Sequence, residues 1–249
     1  MRYPVLILGG TSEARALAAA LHSRGVAVVS SLAGRVERPR LPEGEVRLGG
    51  FGGPDGLAAW LTEHDVRAVV DATHPFAARI SDSAVAATAR AGVPLLRLER
   101  PGWTRPDGAD WRWVDDLDEA AALLPSLGTR AFLTSGRQGL AAFADVDTVW
   151  FLIRCVDPPE TRLPRHHELL LDRGPYTVDR ELNLLRTHRI DVLVTKDSGG
   201  SMTAAKLDAA TRHGIPSVIV RRPPRPDALT VSDVDDALHW ALERYESRP

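Results

Sequence analysis

The sequence has a single cysteine, Cys155, and this scarcity excludes several classes of protein. One thiol forms no internal disulfide and builds no cysteine-rich metal site. No apolar run approaches the ~20 residues that a membrane-spanning helix requires. The first apolar run belongs to a predicted strand rather than to a signal peptide. We therefore expect a cytoplasmic protein with no membrane partner.

Lysine is almost absent, since Lys196 and Lys206 are the only lysines among 31 basic residues and the others are arginine. A genome of biased base composition produces this pattern without a functional cause. A single arginine is therefore weak evidence of a functional site, and each of the two lysines is somewhat stronger evidence. The net charge of -2 gives no reason to expect a nucleic-acid partner. A chain of 249 residues is long enough for one large domain or two small ones.

Predicted strands alternate with predicted helices, which is typical of α/β proteins with parallel sheets. The first series places strands at 5–8, 26–31, 45–48, 68–72 and 94–98, with helices at 14–21, 57–63 and 80–91. A polar, Pro/Gly-rich break at 100–110 precedes a second series. Its strands are predicted at 131–134, 149–156, 168–171, 192–195 and 217–220, and its helices at 178–188, 203–213 and 234–245. The sequence thus predicts two doubly wound α/β lobes, over 1–100 and 101–249; the family resemblance described below implies that both are Rossmann-like, with a cleft between them.

A glycine-rich turn follows the first predicted strand and opens a helix. The candidate ligand-binding residues of this turn are Gly9, Gly10, Thr11, Ser12, Glu13 and Ala14. Such a turn directs backbone N–H groups and the positive end of the helix dipole to one point, where phosphate binds. Thr11 replaces the second glycine of the dinucleotide fingerprint, and we expect its hydroxyl to donate to a pyrophosphate oxygen. The alternative is an ordinary first turn with no ligand.

The second strand is followed by Gly34 and Arg35, without the carboxylate that accepts the ribose 2′-OH in NAD-binding domains. We expect Arg35 to pair with a 2′-phosphate, which favours NADPH as the cofactor. A solvent-exposed arginine is the alternative interpretation.

The fourth strand leads into Thr73, His74, Pro75 and Phe76, which topology places beside the cofactor. His74 is also a candidate catalytic residue, with a structural histidine as the alternative. In the second lobe, Lys196, Ser198 and Gly199 follow a buried strand and are candidates for holding an anionic group. Lys196 is also a candidate proton donor, and a surface lysine paired with Asp197 is the alternative. Trp103, Trp111 and Trp113 are interpreted as interdomain packing.

Several of these segments together resemble the precorrin-6A reductase family of cobalamin biosynthesis. They are Gly-Gly-Thr-Ser-Glu-Ala at 9–14, Ala-Gly-Arg at 33–35, Asp-Ala-Thr-His-Pro-Phe-Ala at 71–77 and Thr-Lys-Asp-Ser-Gly-Gly at 195–200. Gly174-Pro175-Tyr176 with Glu181, and the stretch 97–103, are similar as well. The resemblance covers nearly the whole chain in order. It implies NADPH-dependent reduction of one double bond of precorrin-6A, giving precorrin-6B, and no metal bound by the protein.

The substrate of that family carries many carboxylates, and arginines that face a cleft would bind them. The candidates are Arg100, Arg137, Arg154 and Arg221. Three alternatives stay open. One is reduction of cobalt-precorrin-6A, and another is a non-catalytic NADPH-sensing module. The third is a short-chain type reductase, although its Tyr-x-x-x-Lys pair is not found in the sequence.

Overall fold

The computed structural model describes residues 4–34 and 40–246 and divides the chain into two compact α/β units. The first unit comprises the chain up to Pro101 and from Pro223 onward, and the second comprises Gly102–Arg222. Each unit contains a six-stranded sheet in which the paired strands run parallel. The predicted class, two parallel-sheet α/β lobes, is therefore confirmed.

The first unit follows the predicted alternation closely. Its strands are β1 (Val5–Leu8), β2 (Val28–Leu32), β3 (Glu45–Leu48), β4 (Ala68–Asp71) and β5 (Leu95–Leu98), and its helices are α1 (Ser12–His22), α2 (Gly53–Glu63) and α3 (Ala78–Ala91). The four residues of β1 are all buried, as expected of a central strand covered on both faces. Two apolar clusters lie on the two faces of this sheet.

The second unit contains a strand and an α-helix that the sequence analysis did not predict, β6 (Trp111–Val114) and α4 (Leu117–Leu123). The others are β7 (Arg130–Leu133), β8 (Trp150–Cys155), β9 (His167–Leu171), α5 (Val178–Thr187), β10 (Val192–Lys196), α6 (Ala205–His213) and β11 (Ser217–Val220). Trp111 is 8% exposed and belongs to the core of this unit, and Trp113 packs against that core. The interpretation of Trp111 as interdomain packing was therefore wrong.

The C-terminal segment packs in the first unit, whereas the sequence analysis placed it in the second domain. β12 (Thr230–Val231) pairs with β5 at the edge of the first sheet. The last helix, α7 (Val234–Glu246), buries Ala237, Leu238 and Ala241 in the apolar cluster that also contains Leu17 of α1. The apolar face of α7 packs against α1. The position of α7 at the end of the chain does not indicate this packing. None of the helices in the described ranges is both long and apolar enough to span a membrane.

Each sheet reverses its strand order at one place. The first sheet runs β12-β5-β4-β1-β2-β3, so the chain leaves β1 toward β2 and leaves β4 toward β5, in opposite directions. The second runs β6-β11-β10-β7-β8-β9, and the same reversal falls between β10 and β7. Ligands of open α/β sheets bind beyond the carboxyl ends of the strands at such a switch point. The candidate residues after β1, β4 and β10 lie at these two points.

Candidate active site

Thr11 caps helix α1 and attaches it to the neighbouring strand. Its side-chain oxygen accepts a hydrogen bond from the N–H of Ala14 at 3.1 Å, and its hydroxyl donates to the carbonyl of Ala72 at 2.8 Å. The residue is 8% exposed. A hydroxyl has one proton to donate, and here that proton is used within the unit. The expected donation from Thr11 to a pyrophosphate oxygen is therefore not what the structure shows, and Thr11 orders the turn instead.

Gly9 and Gly10 shape the turn in different ways. The N–H of Gly9 donates to the carbonyl of Ser31 at 2.9 Å, and a Cβ at Gly9 would lie 3.4 Å from Leu32. Gly10 is exposed and has φ +117°, a conformation that side-chain-bearing residues rarely adopt. Among the described residues, nothing lies within 4 Å of where a Cβ of Gly10 would be. The surface of this turn is thus open at the helix N-terminus.

Glu13 and Arg100, predicted to bind cofactor and substrate respectively, lie together. Nη1 of Arg100 is 2.9 Å from Oε2 of Glu13, and the hydroxyl of Ser12 donates to the same oxygen at 3.0 Å. A carboxylate in the first turn is stabilised by the helix dipole but repels an approaching phosphate. Arg100 balances the charge of Glu13 at this helix N-terminus.

The loop after β2 carries the residues that were predicted to select the cofactor. Ser31 and Leu32 are buried, and Gly34 is exposed with φ +69°. Arg35 lies outside the described residues, so its pairing with a 2′-phosphate stays a prediction.

Asp71, at the end of β4, is the centre of a buried polar network. Its Oδ1 accepts from the N–H and the hydroxyl of Thr73 at 3.2 and 2.6 Å. Its Oδ2 accepts from the hydroxyl of Ser81 at 2.6 Å and from Nη2 of Arg225 at 3.0 Å. The other terminal nitrogen of Arg225 donates to Glu99 at 2.8 Å. Sequence reasoning missed Arg225, because it lies 154 residues from Asp71 and no local pattern marks it.

His74 is held by the turn that follows this network. Its Nδ1 accepts a hydrogen bond from the N–H of Phe76 at 3.2 Å, and Pro75 between them is buried. A neutral imidazole that accepts at Nδ1 carries its proton at Nε2. The turn thus sets both the orientation and the tautomer of His74.

In the second unit, Lys196 reaches from the end of β10 toward the loop after β7. Its Nζ donates to the carbonyl of Gln138 at 3.4 Å, and the hydroxyl of Ser198 donates to the carbonyl of Lys196 at 3.3 Å. Burial lowers the pKa of Lys196, because a charged ammonium is poorly solvated there. Gly199 follows with φ +64°. Lys196 ends β10, and Ser198 and Gly199 lie in the loop that follows it, so their predicted role in holding an anionic group stays a prediction.

Asp197 is paired with Arg222 rather than with Lys196. The Nε of Arg222 lies 3.3 Å from Oδ2 of Asp197, and the N–H of Trp103 donates to Oδ1 at 3.1 Å. The indole N–H of Trp103 donates to the carbonyl of Gly200 at 3.0 Å. Trp103 thus holds the loop after β10 within its own unit. The sequence analysis did not identify Arg222.

The other three candidate arginines differ in placement. Arg154 is 6% exposed and makes two parallel hydrogen bonds to Glu181, at 2.7 and 2.9 Å. It also lies 3.7 Å from the ring centroid of Tyr176. This arrangement favours a structural role for Arg154 over substrate binding, because both terminal nitrogens already hold a carboxylate.

Arg221 is exposed at the end of β11, where its Nη1 is 3.7 Å from Asp115. Arg137 is half-buried in the turn after β7, near enough to Cys155 to affect its thiol. Burial raises the pKa of Cys155, and the charge of Arg137 partly opposes that rise. In the part of the chain that the structure describes, no group of three or more His, Cys, Asp or Glu side chains is arranged to hold a metal ion.

These features define a Rossmann-like α/β protein whose first unit carries a glycine-containing turn that opens helix α1 at the switch point of its sheet. Comparison with known proteins identifies the family. The profile of the precorrin-6x reductase CbiJ/CobK family matches residues 4–242, and the chain belongs to that family. The protein is therefore an oxidoreductase, and the alternative of a non-catalytic NADPH-sensing module is excluded.

Relatives match over almost the full length of the chain. A precorrin-6A reductase of Rhodococcus erythropolis is 60% identical over 95% of this chain and 96% of its own. A cobalt-precorrin-6A reductase of Salmonella typhimurium is 32% identical over 88% of this chain and 87% of its own. A solved structure of CobK precorrin-6A reductase is 41% identical, covers 97% of this chain and 96% of its own, and superposes with a TM-score of 0.91.

Proposed function

We propose that this chain reduces one double bond of metal-free precorrin-6A, with NADPH as the reductant, to give precorrin-6B. The observation that carries the choice of substrate is the contrast in identity. It is 60% with the relative named for precorrin-6A and 32% with the relative named for cobalt-precorrin-6A. Residues that contact the macrocycle are under the same chemical demand in enzymes that share a substrate, so the higher identity favours the metal-free form.

The residues of the first unit fit a dinucleotide. The turn after β1 is open above Gly10, and the N-terminus of the 11-residue helix α1 favours a pyrophosphate. The absence of a carboxylate in the segment 30–35 favours a 2′-phosphate over a free ribose hydroxyl. When bound, NADPH supplies the hydride. In this proposal Gly9 and Gly10 admit the pyrophosphate, and Arg100 keeps the turn electrically neutral.

The chain must also supply a proton, because hydride addition leaves negative charge on the neighbouring atom of the substrate. Lys196 is suited to this role, since burial lowers its pKa and makes the ammonium a better acid. His74 is the second candidate, because the N–H of Phe76 fixes the ring through Nδ1 and leaves Nε2 as the nitrogen that exchanges a proton. Lys196→Ala and His74→Gln distinguish the two. Loss of the donor lowers kcat with binding largely kept, whereas loss of an anchor raises KM.

The direct test is turnover with purified substrates. Precorrin-6A and cobalt-precorrin-6A are each incubated with NADPH or NADH, and the absorbance of the nicotinamide and of the macrocycle is followed. We expect the highest kcat/KM for precorrin-6A with NADPH. A higher kcat/KM for the cobalt form would assign the chain to the other substrate, and equal use of NADH would refute the cofactor preference.

The cofactor preference has its own test at Arg35. A charge-assisted contact contributes roughly 1.5–3 kcal/mol, so Arg35→Ala should weaken NADPH binding by about one to two decades and leave NADH binding nearly unchanged. Arg40→Ala, which removes an exposed arginine five positions further along, is the matched control. Equal losses for the two cofactors, or for the two variants, would contradict the assignment.

A further inference from the structure

Arg47, near the end of β3, binds the turn that follows its own strand. Its Nη1 donates to the carbonyl of Gly49 at 2.7 Å, and its Nη2 donates to the carbonyl of Gly50 at 2.9 Å. The guanidinium carbon lies 3.8 Å from the ring centroid of Phe51. One half-buried side chain therefore contacts three consecutive residues of this turn.

These contacts set the direction of two backbone N–H groups. The C=O and N–H of a trans peptide point in opposite directions, so the N–H groups of Gly50 and Phe51 point away from the guanidinium. Gly49 has φ +99°, a conformation that glycine adopts readily but that does not by itself hold the turn in place. Because the guanidinium binds both carbonyls, it restricts the turn and keeps the two N–H groups in one orientation.

The turn after β3 borders the loop after β2, where we expect the 2′-phosphate of the cofactor. The N–H of Gly49 donates to the carbonyl of Leu32 at 2.9 Å, and a Cβ at Gly34 would lie 3.8 Å from the nitrogen of Gly49. The sheet order β1-β2-β3 matches the order of groups in a dinucleotide. A pyrophosphate beyond β1 and a ribose beyond β2 bring the adenine, which is the next group, to the end of β3.

We propose that Arg47 is a positioning residue for the adenine of the cofactor and acts through the turn 49–51. The guanidinium holds the carbonyls of Gly49 and Gly50, and the N–H groups of Gly50 and Phe51 then face the base, whose ring nitrogens accept hydrogen bonds. NADPH and NADH carry the same adenine, so Arg47 serves both, whereas Arg35 is assigned to the 2′-phosphate. The inference rests on the proposed function, since it requires a dinucleotide cofactor.

The test compares Arg47→Met with a matched control, Arg24→Met, in direct binding of NADPH and NADH. The Nη1 of Arg24 likewise donates to a backbone carbonyl of the first unit, that of Ala20 at 2.9 Å, but Arg24 lies just beyond the carboxyl end of α1. The Kd is measured from nicotinamide fluorescence, and kcat is measured with saturating NADPH and precorrin-6A. We expect Arg47→Met to raise the Kd for both cofactors about tenfold and to keep kcat, because the turn must then become ordered on binding. Arg24→Met should change neither constant.

A second substitution separates positioning from direct binding of a phosphate. Arg47→Lys keeps the charge but lacks the planar fork that reaches both carbonyls, so we expect it to resemble Arg47→Met. A wild-type Kd for NADPH in Arg47→Lys would overturn the inference, because charge alone would then suffice. A loss of affinity confined to NADPH in Arg47→Met would also overturn it, because a ligand of the 2′-phosphate gives that pattern.

The remaining outcomes distinguish this inference from the proposed function. Unchanged Kd values in Arg47→Met, or equal losses in Arg47→Met and Arg24→Met, overturn the role of Arg47 and leave the proposed function standing. A wild-type protein that binds neither NADPH nor NADH refutes the cofactor of the proposed function, and the role of Arg47 is then refuted as well.

Discussion

Replacing Arg225 by methionine should destabilise the first unit far more than replacing an exposed arginine. The side chain of Arg225 is 6% exposed and lies 3.0 Å from Asp71 and 2.8 Å from Glu99. Methionine keeps the apolar stem but removes the charge. Asp71 then retains Arg97, whose Nε is 3.9 Å from Oδ2, as its ion-pair partner among the described residues. Removing one member of a buried ion pair costs about 3–5 kcal/mol, because a carboxylate is left desolvated and poorly compensated.

The assay is thermal unfolding followed by circular dichroism. For a chain of this size, 1 kcal/mol shifts the Tm by about 2–4 °C, so Arg225→Met should lower it by about 6–20 °C. Arg90→Met is the control, since Arg90 pairs with Asp55 on the surface of the same unit, where the side chains are 56% and 87% exposed. An exposed pair contributes about 0–1 kcal/mol. Equal Tm values for the two variants would refute the claim that the Asp71 network stabilises this unit.

Three further outcomes are expected. Thr11→Val removes the hydroxyl that caps α1 and should cost about 1–2 kcal/mol in urea unfolding. Gly10→Ala should cost about 1–3 kcal/mol in the same assay through backbone strain alone, since φ is +117° and no described atom would touch the new Cβ. Burial lowers the pKa of Lys196 from 10.5, so the charged lysine destabilises the fold at neutral pH, and this cost fades as pH rises through the lowered pKa. Lys196→Met should therefore be more stable than wild type at neutral pH, with a difference that shrinks toward pH 10.5 in urea titrations.

The sequence predicted strands correctly where an uninterrupted run of apolar residues marks the strand. β1 and β11 have the predicted bounds, because each is a short apolar run rich in valine, isoleucine or leucine and ended by a change of composition. β6 was missed because its Trp-Arg-Trp-Val sequence lies in a polar, tryptophan-containing stretch and becomes a strand only by pairing with β11. β12 was missed because two residues carry no periodicity of their own.

The candidate site likewise contains residues that local sequence identified and residues that only the fold brings together. The turn at 9–14 and the loop at 195–200 were recognised because glycines, capping residues and a preceding strand are adjacent in the chain. The partners of these loops were not recognised. Arg225 joins Asp71 across 154 residues, and Arg222 joins the Asp197 carbonyl across 25. Arg154, predicted to bind substrate, is held by Glu181, which lies 27 residues away.

The sequence by itself determined the parallel α/β class, the family and the glycine turn that opens α1, because each depends on residues close together in the chain. Tertiary structure alone decided that α7 packs on α1 and that Arg225 compensates Asp71. It also decided that the hydroxyl of Thr11 is used while that of Ser135 has no partner among the described residues. The physical reason is that burial and ion pairing depend on which strands and helices become neighbours, and strand order is set by packing of the whole sheet rather than by local sequence.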